Sequence, residues 1–367
     1  MLIYLSKFED LFGPLRLFSY ITFRCMLACI LALGLSFLLA PRVLGYLKTL
    51  KVSQTLRSNQ EIGKIADLHQ SKKDTPTMGG LMMYLAFVPT VLLCTRLDNI
   101  YVWLCLLVYT VLTLLGFWDD YLKVSKKNAK GLDSKWKWLV EAILAFVVLL
   151  LLLGSEVRID HILDISVPFL KEPLYYAIPY WVLFIFFLLV MGGSSNAINL
   201  TDGVDGLAIG CTVTVALAYG LIAYVTGHAV IAHYLNIVFL PGIEELAVLC
   251  FALVGVSLAF LWYNCHPAQV FMGDTGSLAL GGLIGTIAFL TNQAILLVLI
   301  GGIFVMEALS VILQVGSFKM RRKRIFKMAP IHHHFELKGW HENKVVIRFW
   351  ILSLLFALAG LSTLKIR

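Results

Sequence analysis

Residues 179–206, PYWVLFIFFLLVMGGSSNAINLTDGVDG, join a long apolar run to a polar, acidic segment. The apolar part, 179–197, approaches the roughly 20 residues that an α-helix needs to cross the hydrocarbon core of a bilayer. Two carboxylates, an amide and two glycines then follow within eight residues, from Asn199 to Gly206. This stretch predicts a membrane-spanning helix that delivers a polar loop to one face of the membrane.

The rest of the chain repeats this pattern. Of 367 residues, 59% are hydrophobic and only 14% are charged, whereas soluble proteins carry about 25% charged residues. We therefore predict an all-α integral membrane protein with about ten transmembrane helices, forming a single polytopic domain over residues 1–367. The ten apolar runs lie near 20–40, 78–94, 100–117, 136–154, 179–197, 206–225, 246–263, 277–291, 294–316 and 346–364.

The positions of Lys and Arg orient the predicted helices. Twenty of these residues fall in one set of alternate loops and only three in the other set. Because basic residues collect on the cytoplasmic side, the first set is cytoplasmic and both termini are extracytoplasmic. The cytoplasmic loops are 41–77, 118–135, 198–205, 264–276 and 317–345.

The polar motifs of the chain all fall on these cytoplasmic loops, although hydropathy and basic residues alone placed the loops. The motifs are Asp119-Asp120, Asn199 to Gly206, Asn264 to Asp274, and His332-His333-His334. We therefore expect one active site at the cytoplasmic face of the membrane.

The acidic motifs favour a divalent cation. Adjacent carboxylates at a membrane boundary, such as Asp119 and Asp120, are costly unless they are paired or bind a cation, and Mg²⁺ commonly bridges carboxylates and phosphates. Asp274 precedes an apolar run, so it is placed to ligate a metal while the N–H groups of the next helix face an anion. The alternative for the aspartate pair is a solvated helix end.

Other polar side chains suit a nucleotide. The acids between Asn199 and Gly206 can accept hydrogen bonds from sugar hydroxyls, a base edge or metal-bound water, although a simple polar turn remains the alternative. Phe271 can stack on a nucleobase or simply pack. Three consecutive histidines cannot all face one metal. Two interpretations of this motif therefore remain: imidazoles that lie near a phosphate, or a solvated loop.

Basic side chains suit phosphates. Lys72, Thr77 and the glycines that follow can hold a diphosphate, and the absence of a GxxxxGK[ST] motif disfavours an ATPase. Lys123 and Lys135 can neutralise phosphates or simply belong to the positive inner face. Glu307 lies within an apolar run, where a carboxylate is a functional candidate, either as a proton relay or as a partner within the bundle.

Taken together, these motifs resemble the phospho-N-acetylmuramoyl-pentapeptide transferases, a family of polyprenyl-phosphate N-acetylhexosamine-1-phosphate transferases. The resemblance extends over essentially the whole chain. The aspartate pair, Asn-xx-Asp-Gly-x-Asp-Gly and Gly-Asp-Thr-Gly-Ser are similar to the superfamily motifs. The stretch from Pro330 to Gly339, PIHHHFELKG, is similar to the muramoyl-pentapeptide branch.

The resemblance implies a reaction. UDP-N-acetylmuramoyl-pentapeptide and undecaprenyl phosphate would give lipid I and UMP, with Mg²⁺ as cofactor, in the first membrane step of peptidoglycan synthesis. It also implies a homodimer in the bacterial cytoplasmic membrane, with no nucleic-acid partner.

The resemblance also implies roles for individual residues. Asp274 would ligate Mg²⁺, and Asp119 and Asp120 would handle the metal and the lipid phosphate, with Asp119 as a candidate base. Residues implied to line the nucleotide pocket are Asn199, Asp202, Asp205, Asn264 and Phe271. Residues implied to contact the diphosphate, the phosphates or the sugar are Lys72, Thr77, Lys123, Lys135, His332 and His333.

Three alternatives remain open at this stage. The lipid phosphate either attacks the UDP β-phosphorus directly, which we favour, or an aspartate first takes the phosphosugar covalently. A sister transferase that uses UDP-N-acetylglucosamine would share the acidic motifs, and the histidine loop argues against it. A cation channel or transporter predicts carboxylates on both sides of the membrane, and here they cluster on one side.

Overall fold

The computed structural model describes residues 1–49, 75–125, 131–155, 163–170 and 172–366. In these ranges the regular secondary-structure elements are helices, and an isolated β-bridge pairs Ile165 with Tyr175. Nine of the described helices are long and apolar enough to cross a membrane, and Gly80–Cys94 is a shorter apolar helix. The prediction of an all-α membrane protein with about ten apolar segments is confirmed.

The helices are numbered in chain order. They are α1 Ile21–Thr49, α2 Gly80–Cys94, α3 Ile100–Ser125, α4 Ser134–Leu153, α5 Tyr180–Thr201, α6 Leu207–Thr226, α7 Ala229–Tyr234, α8 Glu245–Asn264, α9 Gly273–Leu290, α10 Leu296–Ile300, α11 Gly302–Arg321, α12 Ile331–Glu336 and α13 Glu342–Thr363. Two 3₁₀ helices, Leu2–Phe8 and Gly13–Ser19, precede them.

Some predicted boundaries were wrong. The first run was predicted to end at residue 40, but α1 continues through Pro41 to Thr49. Ala40, Val43 and Leu47 are buried at helical spacing, so packing of this face outweighs the hydrogen bond that the proline removes. The run predicted at 294–316 is divided at Gly301 into α10 and α11.

Both termini lie at the end of the bundle opposite the acidic motifs. The Met1 amine donates to the carbonyl oxygens of Leu92 and Leu93, at the end of α2. Lys365 donates to the carbonyl oxygen of Tyr234, which follows α6 on the same side. The chain ends therefore occupy the face assigned as extracytoplasmic.

Helix α9 is the centre of the bundle, and nearly all of its side chains are buried. It packs between α3 and α5. A Cβ at Gly281 would lie 2.3 Å from the backbone oxygen of Ser194, and one at Gly285 would lie 2.8 Å from that of Val190. These glycines let the α5 backbone approach closely, as small residues do between membrane helices, and this packing fixes the position of Asp274 at the start of α9.

Candidate active site

Three carboxylates from two helices form the centre of the site. Asp119 and Asp120 lie on α3 and Asp274 on the first turn of α9, and each offers an oxygen within 4.8 Å of the others. A Cβ at Gly116 would lie 2.1 Å from the carbonyl oxygen of Asp274. Glycine at this position therefore allows α3 to approach the start of α9 closely enough to assemble the cluster.

Asp120 holds the start of α9 in place. Its Oδ1 accepts a hydrogen bond from the Asp274 N–H at 3.2 Å, and its Oδ2 accepts from the Thr275 N–H at 2.9 Å and the Thr275 hydroxyl at 2.7 Å. These N–H groups have no partner within their own helix, so the carboxylate caps it. Asp120 therefore orients Asp274 as well as contributing charge.

Gly273 and Thr77 border the same carboxylate. Gly273 has a φ of +70°, and a Cβ there would lie 2.5 Å from Asp120 Oδ2 and 2.8 Å from Thr77 Oγ1. The left-handed backbone and the close approach both require glycine. The structure therefore brings Thr77, which the sequence assigned to the site, next to the aspartate cluster.

Two lysines neutralise the cluster. Helix α3 was predicted to end near residue 117, but it continues to Ser125 and so places Lys123 one turn after Asp119. The Lys123 Nζ lies 2.5 Å from Asp119 Oδ2 and 3.1 Å from Asp274 Oδ2. The Lys137 Nζ lies 2.6 Å from Asp274 Oδ2 and 3.1 Å from Asp119 Oδ2.

The sequence argument missed Lys137 and assigned Lys135 instead. The Lys135 side chain is exposed, and the structure does not bring it to the cluster. Lys137 lies on the buried face of α4, four residues before Glu141 and eight before Ala145, both of which are buried. That helical spacing was the signal that could have distinguished the two lysines.

The donor set suits a divalent cation. Carboxylate oxygens are the ligands that Mg²⁺ prefers, and three carboxylates converge here. Asp119 Oδ2 is buried and makes no hydrogen bond, although two ammonium groups lie near it. A cation can therefore replace the ammonium groups at these oxygens and leave the lysines available for phosphate.

Asp202 lies at the edge of the cluster, just beyond the end of α5. Burial raises the pKa of Asp202 to about 8, and a hydrogen bond from the Gly273 N–H opposes the rise. Three nearby carboxylates add to the rise, those of Asp274, Asp120 and Asp205. The Asn199–Gly206 segment therefore faces the aspartate cluster, as the sequence predicted.

Asp205 and Asn264 are buried, and their side chains bind neighbouring backbone. Asp205 Oδ2 accepts from the Ala268 N–H at 3.1 Å. The Asn264 amide accepts from the Gly206 N–H at 3.1 Å and donates to the Val270 oxygen at 2.8 Å. Both residues tie the Asn199–Gly206 segment to the segment between α8 and α9.

A second group of polar side chains adjoins this region. His266 Nδ1 lies 3.1 Å from Asp205 Oδ2 and 3.3 Å from Glu342 Oε2, and Glu342 Oε1 accepts from the Asp205 N–H at 2.8 Å. Phe271, Asn199 and Asp202 are only partly buried, so these predicted nucleotide residues keep open surface.

The three histidines of the cytoplasmic loop lie on α12 and contact different partners. His332 is buried, with Nδ1 3.1 Å from Glu307 Oε2. His333 Nδ1 lies 2.7 Å from Glu336 Oε2, and His334 accepts from the Lys327 N–H at 3.0 Å. That three consecutive histidines do not form one metal site stays a prediction. Lys72 lies outside the described residues.

Comparison with known proteins identifies the family. Residues 102–292 match the family described as glycosyl transferase family 4. The chain is 49% identical over 367 residues to the phospho-N-acetylmuramoyl-pentapeptide-transferase of Methylacidiphilum infernorum, covering 100% of both chains. It is 49% identical over 373 aligned positions to the protein of the same description from Opitutus terrae, again covering 100% of both. These full-length matches place the chain in the phospho-N-acetylmuramoyl-pentapeptide-transferase family.

Proposed function

We propose that this multi-pass membrane protein transfers phospho-N-acetylmuramoyl-pentapeptide from its UDP derivative to undecaprenyl phosphate, forming lipid I and releasing UMP. Full-length membership in the family supports the reaction. The observation that carries the assignment to this site is the group of three carboxylates and two lysines at the cytoplasmic ends of α3, α4 and α9. There a soluble nucleotide and a lipid phosphate of the inner leaflet can both arrive.

The reaction forms one P–O bond and breaks another. A phosphate oxygen of undecaprenyl phosphate attacks the β-phosphorus of the UDP substrate, and the bond between that phosphorus and the bridging oxygen breaks, so UMP leaves. The lipid phosphate and the two phosphates of the UDP group are all anionic and must approach one another. Positive charge aimed at their oxygens lowers the barrier to the reaction. Lys123 and Lys137 supply two ammonium groups at this position.

The aspartates hold these positive groups in place. Asp120 fixes the start of α9, while Asp119 and Asp274 hold both ammonium groups within 3.1 Å. A divalent cation, which we propose is Mg²⁺, would be held by Asp119, Asp120 and Asp274 and would neutralise phosphate charge. A lipid phosphate is largely ionised at neutral pH, since its second pKa is about 6, so we favour direct attack with Asp119 as an orienting group.

The nucleotide side of the site is formed by the Asn199–Gly206 segment and the segment before α9. We propose that Asn199, Asp202 and Phe271 contact the nucleotide, since they keep open surface, and that Asp205 and Asn264 shape the pocket. Lys72 and Thr77 belong to the diphosphate side. The proposal also includes a single domain and a homodimer in the bacterial cytoplasmic membrane; the homodimer rests on the family resemblance and is tested by light scattering of the detergent complex.

The test is UMP release by the purified protein with undecaprenyl phosphate. UDP-N-acetylmuramoyl-pentapeptide and UDP-N-acetylglucosamine are offered separately, with and without EDTA. We expect release from the muramoyl substrate only, loss with EDTA, recovery with added Mg²⁺, and loss in Asp274→Asn. Release from the glucosamine substrate would assign the protein to the sister activity, and no release from either by folded protein would contradict the transferase assignment.

A further inference from the structure

Glu307 is a buried carboxylate that the reaction described above does not use. It lies on the membrane-spanning helix α11 and is 0% exposed, as is its neighbour His332. Its Oε2 lies 3.1 Å from the His332 Nδ1. A carboxylate at membrane depth is expensive unless it has a partner, and such residues commonly serve function. The only ion-pair partner of Glu307 among the described residues is this imidazole.

The other edge of the His332 ring packs against the Asn199–Gly206 segment. A Cβ at Gly203 would lie 2.3 Å from Nε2 and 2.8 Å from Cε1 of His332. The ring therefore packs directly against the Gly203 backbone, with no room for a larger residue. Gly203 follows Asp202, whose carboxylate accepts a hydrogen bond from the Gly273 N–H beside Asp274. Glu307 is thus connected through one ring to the nucleotide side of the site.

The polar atoms of this pair are unusual in having no hydrogen bond. Both oxygens of Glu307 and both ring nitrogens of His332 are buried without a hydrogen-bond partner in the part of the chain that the structure describes. Native proteins leave few buried polar atoms unsatisfied, and those that occur call for a reason other than stability. The Glu307 carboxylate and the His332 ring nitrogen face each other at 3.1 Å, and electrostatic attraction between polar groups is strong away from water.

We infer that Glu307 is a positioning residue that, through His332, holds Gly203 and Asp202 against the nucleotide side of the acidic cluster. This inference rests on the proposed function. Without the carboxylate, the ring is no longer drawn toward α11, and the Asn199–Gly206 segment spends less time in the binding geometry. Apparent affinity for the nucleotide substrate then falls by the factor by which that population falls.

The test compares steady-state kinetics of Glu307→Gln with the wild type in nanodiscs. We expect the KM for the UDP substrate to rise roughly tenfold, the effect of reducing the population of the competent state to about one-tenth of its wild-type value. The KM for undecaprenyl phosphate is expected to stay unchanged, since the proposal gives the Asn199–Gly206 segment to the nucleotide and not to the lipid phosphate. A purely structural role would instead lower the active fraction, and hence kcat, with both KM values unchanged.

Two further variants keep the test decisive if Glu307→Gln folds poorly. Gly203→Ala places a methyl group against the ring from an exposed position and should raise the same KM. Gly316→Ala, on α11, meets no described atom within 4 Å and should behave as the wild type. The double variant with Glu307→Gln and Gly203→Ala should be no worse than the more affected single variant, because both act on one contact.

Fully multiplicative effects, or wild-type KM for the UDP substrate in both single variants, would overturn the inference. Failure of the wild type to release UMP from the muramoyl substrate is a separate result. It would remove the proposed function and this inference with it.

Discussion

The Asp120 carboxylate accepts hydrogen bonds from both the N–H and the hydroxyl of Thr275, at 2.9 and 2.7 Å. One side chain of α3 therefore fixes the first turn of α9, where Asp274 lies. The same contact explains why an acidic pair is useful here: Asp119 faces the lysines while Asp120 holds the helix that carries the third carboxylate.

Thr275→Val tests this contact, because valine keeps the shape of threonine and removes only the hydroxyl. We expect the free energy of unfolding to fall by about 1.5–3 kcal/mol, the usual value for a hydrogen bond to a charged group. We also expect reduced activity, because Asp274 is held less firmly in position. Thr286→Val on the same helix is the control, since its hydroxyl only bonds the Gly282 oxygen one turn earlier. Equal thermal midpoints for the two variants would contradict a stabilising hydrogen bond from the Thr275 hydroxyl to Asp120.

Lys137 and Lys135 give a second prediction, within one turn of α4. Lys137→Gln should lower kcat by about 10²–10³-fold, the usual effect of removing a charged donor aimed at the developing charge. Lys135→Gln should remain within about twofold of the wild type, as expected for an exposed surface charge. UMP release at saturating substrates measures both. Similar losses in the two variants would show that Lys137 has no special place in the reaction.

Asp202 gives a prediction about pH. Its folded-state pKa is raised to about 8, whereas an unfolded aspartate has a pKa near about 3.9. Between these two pH values the folded state therefore binds more protons than the unfolded state. The contribution of Asp202 to the free energy of unfolding is complete below pH ~4, falls as the pH rises to ~8, and is constant above that.

Asp202→Asn should remove this dependence, because the amide stays neutral. Without divalent cations, the thermal midpoint of Asp202→Asn should rise relative to the wild type as pH is raised from about 5 to about 8. Fluorescence-detected unfolding across that range measures the difference. A difference that stays constant with pH would argue against a protonated Asp202.

Gly116 gives a prediction about helix approach. A methyl group there would lie 2.1 Å from the Asp274 carbonyl oxygen, so Gly116→Ala must push α3 away from the start of α9. A displacement of about 1 Å at reacting groups can cost about 100-fold in rate, and we expect a loss of that size in kcat. Gly193→Ala, which meets no described atom within 4 Å, should retain activity; equal activity in both variants would refute the close-approach argument.

The sequence alone determined the membrane class, the cytoplasmic side and the residue types of the site. Long apolar runs have one stable solution in a bilayer, because each backbone polar group must be satisfied within its own helix. The asymmetry of Lys and Arg then oriented the helices, and the four polar motifs followed onto one face. Those arguments use only local composition, so a single chain suffices.

Tertiary structure decided which residue of each motif faces the site and which contacts it makes. Sequence could not separate Asp119 from Asp120, because neighbouring residues in a helix point in directions about 100° apart and only packing shows which direction faces the site. Likewise, Glu307 and His332 lie 25 positions apart along the chain, and their contact exists only because α11 and α12 fold against each other. Spacing predicts faces of helices, whereas contacts between helices depend on the packing of the whole bundle.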